Sequence, residues 1–290
     1  MKPKFLYLNY HSNPEIMTYS EKLNRFSGAY EFLNYLIKWY EITVIDHIGK
    51  NDTIQRNGVT YIARKKKRNN KWLIPFKLHR QIAQLKPDVI YLQSLTQIHF
   101  LIFLIPFVSK KPKVLVQHHA EQTPGFFKQM ILKFSDRFVD LYFFTSKEIA
   151  ADWVKNNIIS STEKIAEVIE GSTFFKTDQQ VIRKEKSYLW VARLNANKDP
   201  ITVVESFIKF LSEYPTAVLT MVYSSTELLD QIRSIINQHE VAKGQIKLLG
   251  KLNHLELEKI YQHTCFLSWH LIMKADLFHS LKQWHVAVYQ

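Results

Sequence analysis

Short apolar runs alternate along the chain with longer amphipathic stretches, regularly enough to define most of its elements. Phe5-Leu6-Tyr7-Leu8 has the length of a buried strand, and Ala29 to Trp39 then reads as a helix with Phe32, Leu33, Leu36 and Ile37 on one face. Glu41 to Asp46, Gly58 to Ala63, Asp88 to Leu92, Lys113 to Gln117, Leu141 to Phe144 and Ile165 to Ile169 continue the strands, with helical patterns between most of them. Strands of β-branched and aromatic residues separated by helix-length segments predict a parallel sheet with helices on both faces.

The pattern lapses from Lys176 to Lys186, a polar and charged stretch without apolar periodicity, and a linker is expected there. A second series opens with Tyr188-Leu189-Trp190-Val191-Ala192. It continues as helix Pro200 to Leu211, strand Ala217 to Val222, helix Glu227 to Gln238, strand Ile246 to Leu249 and helix Leu255 to Gln262. The expected fold is α/β, with two facing Rossmann-like doubly wound domains, the second incomplete. The boundaries are 1–175 for the first domain, 176–186 for the linker, 187–267 for the second and 268–290 for a tail without a convincing period. Such sheets bind ligands at the carboxyl ends of their strands.

Composition narrows the classes. At 46% hydrophobic and 22% charged, the 290 residues carry enough apolar surface to offset chain entropy. A single cysteine excludes a disulfide framework and multi-cysteine metal sites, and points to a reducing compartment. The longest apolar run, Phe100 to Val108, contains Pro106 and falls short of the ~20 residues that cross a bilayer. Lys2-Pro3-Lys4 leads straight into the first strand without a secretory apolar region, so a cytoplasmic protein is expected. No G-x-G-x-x-G follows a strand and no Walker A sequence occurs, which argues against a dinucleotide oxidoreductase or a P-loop NTPase.

The net charge of +13 favours polyanions. Its densest cluster, Arg64-Lys65-Lys66-Lys67-Arg68, reads either as a solvated loop or as a patch for an anionic membrane surface, a peripheral contact on the cytoplasmic face. No zinc finger, RNP-type strand or basic heptad accompanies the charge, so no nucleic-acid partner is expected.

Trp190 to Pro200 carries the most chemistry. A buried strand delivers Arg193 at its carboxyl end, and a short loop reaches Asp199 as helix cap with Pro200 at the first helical position. Arg193 and Lys198 thereby converge near a helix N-terminus at the mouth of the cleft, a setting that suits a diphosphate. The structural alternative pairs Arg193 with a carboxylate and leaves Lys198 solvated.

This segment resembles the donor-phosphate motif of the retaining, GT-B-type glycosyltransferases of family 4, and the resemblance runs to about Leu267. Ser27-Gly28-Ala29-Tyr30-Glu31 is similar to their first glycine loop, although serine stands where the family pairs two glycines. Lys86-Pro87-Asp88-Val89-Ile90-Tyr91 matches their K-P-D strand start, and Phe144-Thr145-Ser146-Lys147-Glu148 their strand that ends in serine before a helix. Val168-Ile169-Glu170-Gly171 sits where the family ends its first domain, and Leu248-Leu249-Gly250-Lys251-Leu252 is similar to the loop whose backbone meets the nucleobase.

The resemblance implies a nucleotide-sugar donor held by the second domain and a glycan or lipid-linked acceptor held by the first. The product would be cell-envelope or surface glycan, formed with retention at the anomeric carbon. The family's histidine falls on Val116-Gln117-His118-His119-Ala120-Glu121. Alternation sends adjacent histidines to opposite faces, and His119 is taken as the catalytic residue, positioning donor and acceptor and stabilising charge. No cofactor beyond the nucleotide sugar is expected, and no metal, since no D-x-D occurs.

The family's E-x7-E donor motif should follow Phe266-Leu267, and it is absent. Codons permitted for Met273 to Gln290, read two bases later, spell E-G-G-S-F-S-L-I-E-A-M-A-C-G-C-I-P, which restores it. The first glutamate is forced by Met273-Lys274 and the alanine before C-G by Trp284-His285. The expectation is a reading frame shifted near Ser268, a truncated donor domain and loss of transfer activity. The alternative function is a non-catalytic remnant, at most a basic peripheral membrane or acceptor-binding protein.

Overall fold

The computed structural model describes residues 2–66, 74–168 and 184–268. The chain divides into two compact units, Met1–Phe174 and Phe175–Gln290.

Unit 1 is built on an eight-stranded sheet. Its strands are β1 (Lys4–Asn13), β2 (Glu41–Ile48), β3 (Asp52–Arg56), β4 (Val59–Lys65), β5 (Val89–Gln93), β6 (Lys113–Gln117), β7 (Leu141–Phe144) and β8 (Ile165–Glu167), in spatial order β3-β4-β2-β1-β5-β6-β7-β8. Neighbours run parallel except β3 and β4. The helices are α1 (Tyr19–Arg25), α2 (Leu33–Leu36), α3 (Phe76–Leu85), α4 (Leu101–Leu104), α5 (Phe126–Ser135) and α6 (Lys147–Lys155).

Side chains alternate across a strand, so a sheet covered on both faces makes two cores from one set of strands. Leu6, Leu8, Ile90, Leu92, Val114, Val116, Tyr142 and Phe144 belong to one buried cluster. Phe5, Tyr7, Ile42, Val44 and Tyr61 belong to another. The register fixes this division, because Tyr7 pairs with Val44 and Leu6 with Ile90.

One local expectation is corrected and one strand is added to those expected. Ala29 to Trp39 is not one helix but a 3-10 turn at Ser27–Tyr30 followed by the single turn of α2. Neither start has a side-chain cap, Phe32 and Trp39 remain exposed, and the Tyr30 hydroxyl is drawn inward to Asp46 at 2.8 Å. The strand expected from Gly58 is the second arm of a hairpin. Asn57 and Gly58 both have positive φ, 51° and 75°, the geometry of a two-residue turn whose backbone twist matches the flanking strands.

Unit 2 carries β9 (Lys184–Ala192), β10 (Val218–Tyr223), β11 (Ile246–Gly250) and β12 (Thr264–Ser268), all parallel, in order β11-β10-β9-β12. The helices are α7 (Pro200–Leu211), α8 (Leu229–Gln238) and α9 (His254–His263). Tyr188, Trp190, Leu219, Met221, Phe207, Leu211, Ile232 and Ile236 form its core, so one face of β9 and β10 is sealed by α7 and α8. Lys184 to Lys186, expected as linker, already belong to β9, and Ser268, expected as the first tail residue, closes β12. The rest of the linker up to residue 183 and the tail from 269 lie outside the described residues.

Candidate functional site

The carboxyl edge of the unit 1 sheet gathers polar side chains that the core rejects. β6 ends at Gln117, and the next two residues diverge. His118 is buried, stacked on Phe144 with ring centroids 4.6 Å apart and edge-on to Trp153, with Nε2 2.9 Å from the Glu121 carbonyl. His119 is exposed and sets Nε2 3.0 Å from Gln93 Oε1 at the end of β5. With the amide oxygen as acceptor, Nε2 carries the proton in this arrangement.

Glu121 ties the edge together. It accepts the His119 N–H at 2.5 Å and the Leu95 N–H at 3.0 Å. Burial alone raises its pKa, but the Ser94 hydroxyl and the His119 N–H favour the carboxylate and hold it below the usual glutamate range. Two residues beside this network have positive φ without being glycine, Ser94 at 144° and Ala120 at 57°. Such strain persists where the surroundings enforce it, commonly at functional sites.

Further along the same edge, the ends of β1, β2 and β4 open a cavity of about 570 Å³ lined by Tyr10, His47, Arg64, Lys65, Lys66, Phe76 and Phe100 among others. A 3-10 turn at Leu95–Phe100 joins it to the histidine network, since Leu95 is held by Glu121, Phe100 lines the cavity and Gln97 accepts the Tyr10 N–H at 3.2 Å. Of the basic cluster, Lys65 is exposed, whereas Arg64 and Lys66 are half-buried and Arg64 donates to Gln81 at 2.9 Å. Arg64, Lys65 and Lys66 thus form part of the cavity wall. Lys67 and Arg68 lie outside the described residues.

Beneath this edge Asp46 is fully buried and forms a 2.7 Å ion pair with Lys22, while the hydroxyls of Tyr19 and Tyr30 donate to it. Burial and the Asp46 charge push both phenols upward, so they stay protonated donors. Gly28 sits half-buried in the turn between α1 and α2, next to this group.

In unit 2, Arg193 follows the last residue of β9 and is exposed, while Lys198 is half-buried at the end of a 3-10 turn at Ala196–Lys198. Asn195 caps that turn by accepting the Lys198 N–H at 3.2 Å. Asp199, at φ 41°, then caps α7 by accepting the Thr202 N–H at 3.4 Å, with Pro200 in the first turn. Among the described residues neither cation has an ion-pair partner. Ala192 pairs with Tyr223 and Val222 with Gly250, so the loop of Arg193 and the loop Gly250-Lys251-Leu252 leave the same sheet edge. Gly250 has φ 72° with open space where a Cβ would stand; Lys251 is exposed and Leu252 half-buried.

No protein-family model matches the chain, and no curated protein matches it. Solved structures do. A glycosyltransferase from Rickettsia africae ESF-5 superposes with a TM-score of 0.64 at 14% identity, over 92% of this chain and 72% of that one. The Anabaena protein HepE, in complex with UDP and glucose, gives 0.60 at 12% over 91% and 73%. Sucrose-phosphate synthase from Thermosynechococcus elongatus gives 0.57 at 11% over 92% and 75%.

The chain has the GT-B fold. Within this GT-B chain, each unit's candidate residues lie at the carboxyl edge of its own sheet. Sequence reasoning singled out His119, Arg193 and Lys198 as candidates but not Gln93 or Glu121, which join His119 through sheet register and a tight loop. Glu121 had a local signal, its position two residues after the histidines. Gln93 had none, since its neighbourhood depends on the pairing of Gln93 with Gln117.

Proposed function

We propose that the chain derives from a retaining family 4 glycosyltransferase that moves a sugar from a nucleotide-sugar donor to a glycan or lipid-linked acceptor of the cell envelope or surface. The observation that carries this reading is the pair Arg193 and Lys198, without an ion-pair partner among the described residues, on the loop before the capped start of α7, in a chain with the GT-B fold. Charge-assisted hydrogen bonds to a diphosphate would satisfy both cations, and the dipole of α7 adds to the same potential. The backbone at Gly250, open and without a Cβ, suits a flat nucleobase, with Lys251 and Leu252 beside it. Neighbours solved with UDP support a nucleotide as ligand.

His119, with Nε2 held by Gln93 and its backbone by Glu121, would position donor and acceptor and stabilise charge in an oxocarbenium-like transition state, without a metal. The acceptor would enter the unit 1 edge, and Arg64, Lys65 and Lys66 would contribute attraction to an anionic cytoplasmic membrane face, about 1 kcal/mol for each residue near the surface. Among the described residues no helix is long and apolar enough to cross a membrane.

The second reading, a non-catalytic remnant, is favoured by one specific feature, the missing E-x7-E that the alternate frame restores. Release of UDP from UDP-glucose, measured on this chain and on a gene with the frame restored between Leu267 and Met273, tests both. Turnover only after restoration is the expected result. Turnover in neither would remove the sugar-transfer reading, and equal turnover in both would remove the frame shift.

A further inference from the structure

On the outer flank of unit 1, α1, the turn into α2 and the hairpin of β3 and β4 frame a cavity of about 300 Å³, lined by Asn24, Glu31, Asn34, Arg56, Asn57 and Tyr61 among others. Strand register sets its place. Arg56 pairs with Val59, the first residue of β4, and β4 runs parallel to β2 and through it to β1, so the Asn57-Gly58 turn lies at the amino edge of the sheet. His119 follows the carboxyl end of β6, which is parallel to the same strands through β5. The cavity therefore stands apart from the edge that carries the histidine network.

The lining selects what enters. Asn24, Asn34 and Asn57 are exposed carboxamides, each able to donate and to accept, and the charges of Arg56 and Glu31 cancel. Among the described residues Arg56 has no ion-pair partner, and the buried Oε2 of Glu31 has no hydrogen-bond partner. The last torsion of a glutamate is soft, so a donor in the cavity can draw that oxygen toward it. One helical turn beyond Glu31, on the same side of the backbone, Tyr35 is 55% exposed and offers an aromatic face at the rim. The cavity at the carboxyl edge differs, since its wall carries Arg64, Lys65 and Lys66 and no carboxylate. Here an anion would meet Glu31, a cation would meet Arg56, and an apolar ligand would leave the amides without partners. A neutral polyhydroxylated ring satisfies the whole lining, because every hydroxyl both donates and accepts and its C–H face suits the electron-rich face of a tyrosine. The volume is at the small end of ligand cavities, roughly 300–1,000 Å³, and suits a single ring of that kind.

We propose that this flank cavity is a carbohydrate site separate from the carboxyl edge, binding one neutral sugar residue of a glycan through Glu31, Asn34, Arg56 and Asn57 with Tyr35 at its rim. It holds a glycan on unit 1 without occupying the edge of His119. The inference is independent of sugar transfer, since a non-catalytic chain would bind in the same way.

Saturation-transfer NMR on the full chain, with the methyl glycosides of glucose, galactose, mannose and N-acetylglucosamine as probes, tests it. At least one glycoside should bind. Asn34→Ala/Arg56→Ala should weaken that probe roughly tenfold with an unchanged thermal transition, both positions being exposed. Tyr35→Ala should weaken it severalfold through loss of the ring face. The 6-phosphate of the same sugar should displace the bound glycoside no better than the free sugar does. Failure of all four glycosides to bind, wild-type affinity in Asn34→Ala/Arg56→Ala, or stronger displacement by the phosphate would each overturn the proposal.

Discussion

The two units present the same edge of the same kind of sheet in opposite states of completion. In unit 1 His119, Gln93 and Glu121 hold one another, Asp46 is paired with Lys22, and the strained backbones of Ser94 and Ala120 are locked in place. In unit 2 the loop backbone is ordered by the Asn195 and Asp199 caps, and among the described residues the cations it displays have no ion-pair partner. Side-chain networks pre-organise the first edge, and backbone caps order the second.

The largest effect that separates them is expected at Asp46. Asp46→Ala strands Lys22 in a buried site and removes the acceptor of two tyrosines, so unit 1 should lose about 3–5 kcal/mol. Hydrogen exchange on the full chain should show β1 and β2 deprotected while β9 and β10 keep their protection. Equal deprotection of both units would break the distinction between them.

The next effect is a pH dependence confined to unit 1. His79 is buried with Nε2 3.0 Å from the Tyr10 hydroxyl, and burial lowers its pKa to about 4 from an unfolded value of about 6.5. The unfolded chain therefore binds the extra proton first. Stability is full above the unfolded value and falls as pH drops from about 6.5 to about 4, by about 3 kcal/mol in all. Exchange protection of β1 across this window should fall in the wild type and stay flatter in His79→Gln. Parallel slopes would assign the loss to other groups.

What the sequence made legible follows the same division. β6, β7 and α7 have the bounds expected from it, because Lys113–Gln117 and Leu141–Phe144 are apolar runs of strand length, and Asp199-Pro200 marks a helix start by local chemistry. Local signals also placed Arg193 and Lys198 on the loop between β9 and α7, where they stand. The hairpin of β3 was legible in principle from Asn57-Gly58, but the apolar count in Asp52 to Arg56 is low and its strand is an edge. Ala29 to Trp39 misled because its periodicity is real while its buried positions are few, Tyr30 and Leu33. The pairing of His119 with Gln93 was not legible, since it depends on which face the tertiary fold covers.

The central claim is that the Arg193 loop is an anion site completed by a nucleotide diphosphate. Calorimetric titration of UDP into the full chain, its Arg193→Ala variant and its Asp46→Asn variant tests it most directly. Arg193→Ala should weaken binding by about 1.5–3 kcal/mol, roughly tenfold to a hundredfold, the size of a lost charge-assisted hydrogen bond, with the deficit shrinking as salt rises. Asp46→Asn should bind UDP as the wild type does. Equal affinity of wild type and Arg193→Ala, or loss of binding in Asp46→Asn alone, would contradict the account.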